Sequence, residues 1–528
     1  MSFDLPAVLA RKAAQCHQPG RWAEARALYQ KIVALQPENA EALCNFATAC
    51  QFLGDRKSAA AGFIRCLAIK PDQEQAAFNF ATLFQQAGHL TIAIEAFKGV
   101  IAAKPGHAAA YGNLARCREE LGLADDAHQR ARRLDPDDGN SLMNQVLRQL
   151  YWPGADPAQM LADARIWASR QPKATRPAGK QTKIGMVSAD FRRHAVGRLV
   201  LPAIEKLGDV TLYMNSPKSD DMTARFQQAA GRWRQVFSMA DTELARQIRE
   251  DEIGILFDLS GFTHGNRLSM FALRPAPLQI AWAGYPGTTG LDAFDYLLGD
   301  WHQLPEGVEQ FYSEKLIRLP HSYVCFVPPA ESPAPTPLPA LSKGHVTFGC
   351  FNAVKKLNHE VLSLWRRILQ AVPDARMSFK ADAFSLPGTA ERFIEALGVS
   401  PDRLNFAGAT PLAAHQAAMA ATDIALDPFP YSGGQTTLES LWAGLPVVTW
   451  PGLTMASRHS CGYLQNAGLP ELIARDPDDY VRIAAELAGD LPRLAALRTG
   501  MRQRLLDSPL CDVDGFVRDF RAALAKIH

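Results

Sequence analysis

Between Asp427 and Gly452 the chain reads D-P-F-P-Y-S-G-G-Q-T-T-L-E-S-L-W-A-G-L-P-V-V-T-W-P-G, a stretch whose residue types suit anion binding. An apolar strand, Ile424 to Leu426, breaks at Pro428 and Pro430. It turns through Gly433 and Gly434 and enters a helix at Gln435-Thr436-Thr437. The first amides of a helix lack intrahelical acceptors and lie at the positive end of its dipole, so a glycine turn that delivers hydroxyls there forms an anion site. One turn on, Glu439 offers a carboxylate that could accept hydrogen bonds from a ribose. A second strand, Val447 to Thr449, and another Pro-Gly turn follow. A plainer reading, an ordinary capped helix in an α/β sheet, fits the same residues. The rest of the chain decides between the two.

The elements that would position this site alternate between strand and helix. From Lys183, β-rich runs recur at Ile184–Val187, Val210–Met214, Ile253–Leu259, Leu278–Trp282, Tyr296–Leu298 and Leu316–Leu319. A second series covers Val346–Gly349, Met377–Lys380, Leu404–Phe406, Ile424–Leu426, Val447–Thr449 and Leu472-Ile473. Such alternation predicts parallel sheets with crossover helices. The joint P-P-A-E-S-P-A-P-T-P-L-P, Pro328 to Pro339, separates the two series and reads as an inter-domain linker. Two α/β lobes of similar size place a ligand at the carboxyl ends of their strands, in the cleft between them. The arrangement suits a nucleotide-sugar glycosyltransferase of the GT-B type and also several binding proteins.

The first 150 residues follow a different rule. Glycines fall at 20, 54, 88 and 122, and alanines five residues later at 25, 59, 93 and 127. Tyr29, Phe63 and Phe97 continue the register, with Ala131 in the fourth slot. Pro37, Pro71 and Pro105 close the units, and Pro136 arrives early. A 34-residue period with small residues where helices meet, an aromatic and a terminal proline is the tetratricopeptide pattern. Asn45, Asn79 and Asn113 form a second ladder of the same period. An amide at that place on each repeat could hold a peptide backbone by donor and acceptor together, or could support the turn between repeats. Asn144 continues the ladder after the shortened unit.

The predicted fold is therefore α followed by α/β: a tetratricopeptide superhelix over 1–150, a helical linker over 151–182 with one helix from about Pro157 to Arg170, a Rossmann-like lobe over 183–328, a Pro-rich linker over 329–344 and a second Rossmann-like lobe over 345–528. A length of 528 residues suits several domains. A net charge of +2 gives no reason to expect nucleic acid or an acidic membrane surface as partner. No apolar run approaches membrane-spanning length, and the start, M-S-F-D-L-P-A-V, lacks the pattern of a signal peptide. Nine cysteines form no C-x-x-C and no zinc spacing, which points to free thiols in a reducing, cytoplasmic setting.

Four strings carry a family resemblance: V-S-A-D-F-R-R-H-A-V-G-R (Val187 to Arg198), A-L-R-P-A-P-L-Q-I-A-W-A-G-Y-P-G-T-T-G (Ala272 to Gly290), F-G-C-F-N-A-V-K-K-L-N (Phe348 to Asn358), and Asp427 through Arg458. Together with the repeats they resemble the protein O-GlcNAc transferase and SPINDLY family over nearly the full chain. The resemblance implies transfer of N-acetylglucosamine from UDP-GlcNAc to serine or threonine hydroxyls of polypeptides held along the repeats. It implies Lys356 at the donor diphosphate, where an ammonium stabilises the leaving group's charge. Gln435, Thr436 and Thr437 would bond the phosphates, Glu439 the ribose, and His415 would pack on the base. The loop around Pro286, Gly287 and Thr288 would offer backbone amides to the sugar. His194 matches a histidine in the role of general base; the donor's own phosphate is the other acceptor for that proton, leaving His194 to position substrate. The reaction expected is single displacement with inversion.

No cofactor and no metal are expected. The Asp-x-Asp strings at 135–137, 476–478 and 512–514 read as solvated surface, and Lys356 with the helix dipole would supply the charge neutralisation. Gly434, Ala353, Leu412 and Ala418 stand where the O-GlcNAc branch resembles His, Gln, Lys and Arg, and H-x-V, T-T-G-L and E-S-L lean to the SPINDLY branch, which resembles O-fucosyltransferases using GDP-fucose. That alternative stays open, as does a non-catalytic tetratricopeptide adaptor. A homodimer through exposed repeat faces is open too.

Overall fold

The first seven helices of the N-terminal region run 12–14 residues, and the two helices of each pair are joined by a turn that only glycine adopts comfortably. In the computed structural model, which describes residues 4–18, 20–123, 127–135, 139–179, 182–329 and 331–527, the chain divides into two compact units. The first holds 1–145 with 214–218 and 235–250; the second holds 146–213, 219–234 and 251–528. Pro136 and Asp137 lie outside the described residues, as do Met1–Phe3, Lys180, Gln181 and Ala330 of the start and linkers.

In the first unit the helices Leu5–Cys16, Trp22–Leu35, Ala40–Phe52, Arg56–Ile69, Glu74–Gln86, Leu90–Ala103 and Ala108–Glu120 follow one another. Ala25, Ala59 and Ala93 are fully buried beside Tyr29, Phe63 and Phe97. The prolines lie just past the second helix of each pair, where the chain stops donating to the ladder. The sequence pattern places the periodic glycines where helices meet, but the structure puts them elsewhere. Gly20, Gly54, Gly88 and Gly122 stand in the turns with φ between 66° and 85°, the left-handed conformation that side chains resist. Close approach is made instead by Gly62, where a Cβ would fall 2.8 Å from that of Ala47.

The second unit is built on two parallel sheets. Strands β1 (Ile184–Ser188), β2 (Val210–Met214), β3 (Arg232–Gln235), β4 (Ile255–Asp258), β5 (Leu278–Trp282), β6 (Tyr296–Asp300) and β7 (Lys315–Leu319) make a sheet of order β3-β2-β1-β4-β5-β6-β7. Strands β8 (Thr347–Cys350), β9 (Arg376–Lys380), β10 (Leu404–Ala407), β11 (Ile424–Leu426) and β12 (Val447–Val448) make the other, β10-β9-β8-β11-β12. In register, Ile184 faces Ile255 and Phe348 faces Ile424, so both lobes reverse direction beside their first strand. These central strands are buried on both faces and read as apolar runs. The edge strand β3, R-W-R-Q, escaped the sequence reading because its ends are exposed and two of its four residues are arginines. Leu472-Ile473 is not a strand: Pro470–Leu472 forms a 3-10 turn and Ile473 makes one isolated bridge to Thr449. The linker helix spans Pro157–Ala168. Among the described residues no helix is long and apolar enough to cross a membrane.

Candidate functional site

In the second sheet the crossovers diverge between β8 and β11, and chain segments leaving those two strands meet outside their carboxyl ends, where open α/β sheets bind ligands. From β8 the chain runs through Asn352 to the 3-10 turn Val354–Lys356; from β11 it runs through Asp427 to the helix Gln435–Trp442. One atom ties the segments together. The Oδ1 of buried Asn352 accepts from Lys356 Nζ at 3.1 Å and from Thr436 Oγ1 at 3.0 Å. Lys356 Nζ also donates to the Ser432 carbonyl at 2.8 Å and lies 4.3 Å from the centre of the Tyr431 ring. Burial pushes this ammonium down to about 8, against the pull of the Asp427 carboxylate. Asp427 is itself buried, which raises its pKa. It shapes the glycine turn by accepting from the Gly433 amide at 2.6 Å and from the Thr449 hydroxyl at 2.7 Å. A lysine kept partly dehydrated beside a helix start is equipped to hold a diphosphate.

Along the helix the three predicted phosphate contacts separate. Gln435 and Thr436 are half-buried at its start. Thr437 faces inward: its hydroxyl bonds Ser460 at 2.7 Å and its amide donates to the Gly434 carbonyl at 3.1 Å, so the sequence expectation of a phosphate contact there is corrected. The packed face of the helix claims this side chain. Glu439 Oε1 accepts from Gln435 Nε2 at 3.1 Å and from Arg198 Nη1 at 3.2 Å, the latter from the other lobe. His415 stands 4.0 Å from Glu439 and meets Phe351 edge-on at 5.9 Å; burial lowers its pKa, which leaves the ring neutral and able to stack.

In the first lobe the chain leaves β1 through Asp190 to His194, which caps the helix Ala195–Leu207. His194 Nδ1 lies 3.3 Å from the Val196 amide and 3.3 Å from Asp190 Oδ2. A neutral ring satisfies only one of these at a time. With the proton on Nδ1 it donates to Asp190 and leaves a lone pair on Nε2, the tautomer a general base requires. With Nδ1 bare it caps the helix and carries its proton on Nε2. After β5, Pro286, Gly287 and Thr288 are buried in a loop that Glu314 anchors. That buried carboxylate accepts from Thr288 Oγ1 and from the Thr289 amide, each at 2.7 Å. Pro286 has no N–H, so of the three residues expected at the sugar only Gly287 and Thr288 carry a backbone amide that could donate.

Asn45, Asn79 and Asn113 are half-buried on the first helices of successive repeats. Asn79 already has partners: it donates to Thr48 Oγ1 of the preceding repeat at 3.0 Å and accepts from Gln75 at 2.9 Å. Of the Asp-x-Asp strings, Asp476 and Asp512 cap the helices Pro477–Gly489 and Val513–Ala525, and Asp478 pairs with Arg367. Among the described residues no group of three or more His, Cys, Asp or Glu could hold a metal ion. Asn352, Asp427, Arg198 and Glu314 were not singled out by sequence reasoning as site residues. Asn352 and Asp427 sit inside quoted motifs, yet only their partners in space give them roles.

Comparison with known proteins follows the same outline. The profile of Glycosyl transferase family 41 matches residues 164–327 and 338–520, and a tetratricopeptide repeat profile matches 84–150. The probable UDP-N-acetylglucosamine–peptide N-acetylglucosaminyltransferase SPINDLY of Petunia hybrida is 35% identical over 74% of this chain and 44% of its own length. The probable enzyme of the same description named SEC, from Arabidopsis thaliana, is 30% identical over 69% of this chain and 40% of its own. The chain thus spans less than half the length of these curated relatives. A solved mutant of the Thermobaculum terrenum O-GlcNAc transferase superposes with a TM-score of 0.85 at 34% identity, covering 93% of this chain and 98% of that one.

Proposed function

The chain belongs to glycosyl transferase family 41, and from that premise we propose that it moves N-acetylglucosamine from UDP-GlcNAc to serine or threonine hydroxyls of polypeptides. The observation that carries the reading is the shared Asn352 carbonyl, which sets the Lys356 ammonium and the Thr436 hydroxyl together at a helix start. In this reaction the acceptor oxygen bonds to the anomeric carbon as the carbon–oxygen bond to the diphosphate breaks, with inversion. Lys356 and the first-turn amides take up the charge that develops on the departing UDP. The acceptor's proton passes to His194 Nε2, when Nδ1–H is held by Asp190, or to the donor phosphate. Glu439 and His415 hold ribose and base, and the Gly287 and Thr288 amides the sugar. Repeats of this kind support a polypeptide acceptor and leave a homodimer to be tested, and no metal enters the scheme.

A GDP-sugar is the second reading. Around the expected base, Gly434 opens onto space in which an added Cβ would meet nothing within 4 Å, and Ala353 and Leu412 are exposed. Calorimetry with UDP, GDP, UDP-GlcNAc and GDP-fucose separates the readings, with Lys356→Ala as control. UDP binding that the control loses is the expected result; a preference for GDP moves the protein to the fucosyl donor, and binding of none leaves an adaptor.

A further inference from the structure

Lys356 is held by more than the groups around its diphosphate site. Tyr431, over whose ring it lies at 4.3 Å, stacks on Tyr151 with centroids 4.8 Å apart and planes 21° from parallel. Lys355 Nζ in turn lies 5.1 Å from the centre of the Tyr151 ring. The run Lys355, Tyr151, Tyr431, Lys356 therefore joins three stretches far apart in sequence. Tyr151 comes from the segment just after the helix Gly139–Gln149, outside both sheets, yet it belongs to the same compact unit as the lobes. Stacked aromatic pairs and cation–π contacts each add a modest attraction. That suffices to hold an ammonium in one place, though not to hold a lobe together.

We propose that Tyr151 is a positioning residue for sugar transfer: it backs Tyr431, which sets the Lys356 ammonium at the donor diphosphate. The inference rests on the transferase reading only for its effect on turnover; its effect on the lysine stands apart from that reading. Aromatic cover excludes water from the amine, and without Tyr151 the Tyr431 ring is free to tilt and water reaches Nζ. Lys356 is faced by Asp427 from the loop after β11, by Lys355 beside it, by Cys350 at the end of β8 and by buried His459. None of these is removed by a change at position 151.

The test uses the full chain as wild type, Tyr151→Phe, Tyr151→Leu and Tyr151→Ala, each checked by thermal melting. Lys356 is titrated by the pH dependence of its modification with an amine reagent, read by mass spectrometry, and donor turnover is measured alongside. Wild type and Tyr151→Phe should show the same half-point, near pH 8. In Tyr151→Leu and Tyr151→Ala it should rise by about one pH unit as burial is relieved, and kcat should fall roughly tenfold with little change in donor KM. Loss of turnover in Tyr151→Phe, or an unmoved half-point in Tyr151→Leu and Tyr151→Ala, overturns the proposal. A wild-type protein that turns over no nucleotide sugar defeats the function proposed above and leaves the titration to decide this inference.

Discussion

Lys356 shows how much one side chain's chemistry depends on three neighbours. Its ammonium deprotonates near pH 8 because burial outweighs the attraction of Asp427. The folded value lies below the ordinary 10.5, so the charged form predominates below pH 8 and is lost as pH rises through it. Donor kcat/KM should therefore fall on the alkaline side with a half-point near pH 8, and Lys356→Ala should lack both the limb and the activity. Steady-state rates across pH 6–10 check this about the free enzyme. Asn352 makes a sharper test of geometry, since one oxygen serves Lys356 and Thr436. Asn352→Ala should lower kcat/KM roughly ten- to a hundredfold, the worth of a hydrogen bond to a charged group. Asn352→Asp keeps the shape but brings a carboxylate to the ammonium. It should raise the alkaline half-point and weaken donor binding through repulsion of the diphosphate, both measurable in the same assay.

At the scale of an element, the turn into the helix Gln435–Trp442 is where backbone and site are one object. Adjacent glycines there are not equivalent. A Cβ on Gly433 would lie 2.3 Å from Thr437 Oγ1, 2.9 Å from Thr436 Oγ1 and 3.0 Å from Asp427 Oδ1, whereas one on Gly434 meets nothing within 4 Å. Gly433→Ala should cost about 1–3 kcal/mol of stability and remove nucleotide binding by displacing the Thr436 hydroxyl. Gly434→Ala should melt as wild type does. Differential scanning and titration calorimetry on the two variants read both effects. A similar economy holds the loop after β5, where the single Glu314 carboxylate gathers Thr288 and Thr289 and so fixes the backbone beside Gly287.

For the molecule as a whole, one compact unit holds the repeats together with 214–218 and 235–250, and the other holds the rest of both lobes. Replacing Asn45, Asn79 and Asn113 by alanine should weaken transfer to polypeptides while donor hydrolysis continues unchanged. Parallel loss of both activities would argue against a peptide groove along the ladder. Because Asn79 also bridges to Thr48 of the neighbouring repeat, Asn79→Ala alone should lower repeat stability by about 1 kcal/mol, visible in a melting curve. Between the lobes, Arg198 reaches Glu439 at 3.2 Å, and Gln303 meets buried His459 at 2.6 Å. The carboxylate expected at the ribose thus already has a partner in the opposite lobe.

By itself the sequence determined the 34-residue repeat, both parallel sheets and the two motif loops that end at Lys356 and Thr436. Each of these is written in local terms: an apolar period, a proline stop, a glycine turn before a helix. It missed the charged edge strand β3, whose stability comes from one neighbour and not from a buried face. Only the tertiary structure decided that Thr437 points away from the cleft to Ser460, that Asn352 serves Thr436 across 84 residues, and that Glu439 pairs with Arg198 across 241. Tyr151 belongs to the same class, since nothing in the segment around it announces a partner at Tyr431. The physical reason is common to all of them. Periodicity reports which face of an element is buried, but which side chains meet there depends on how distant elements pack, and that packing has no local signature.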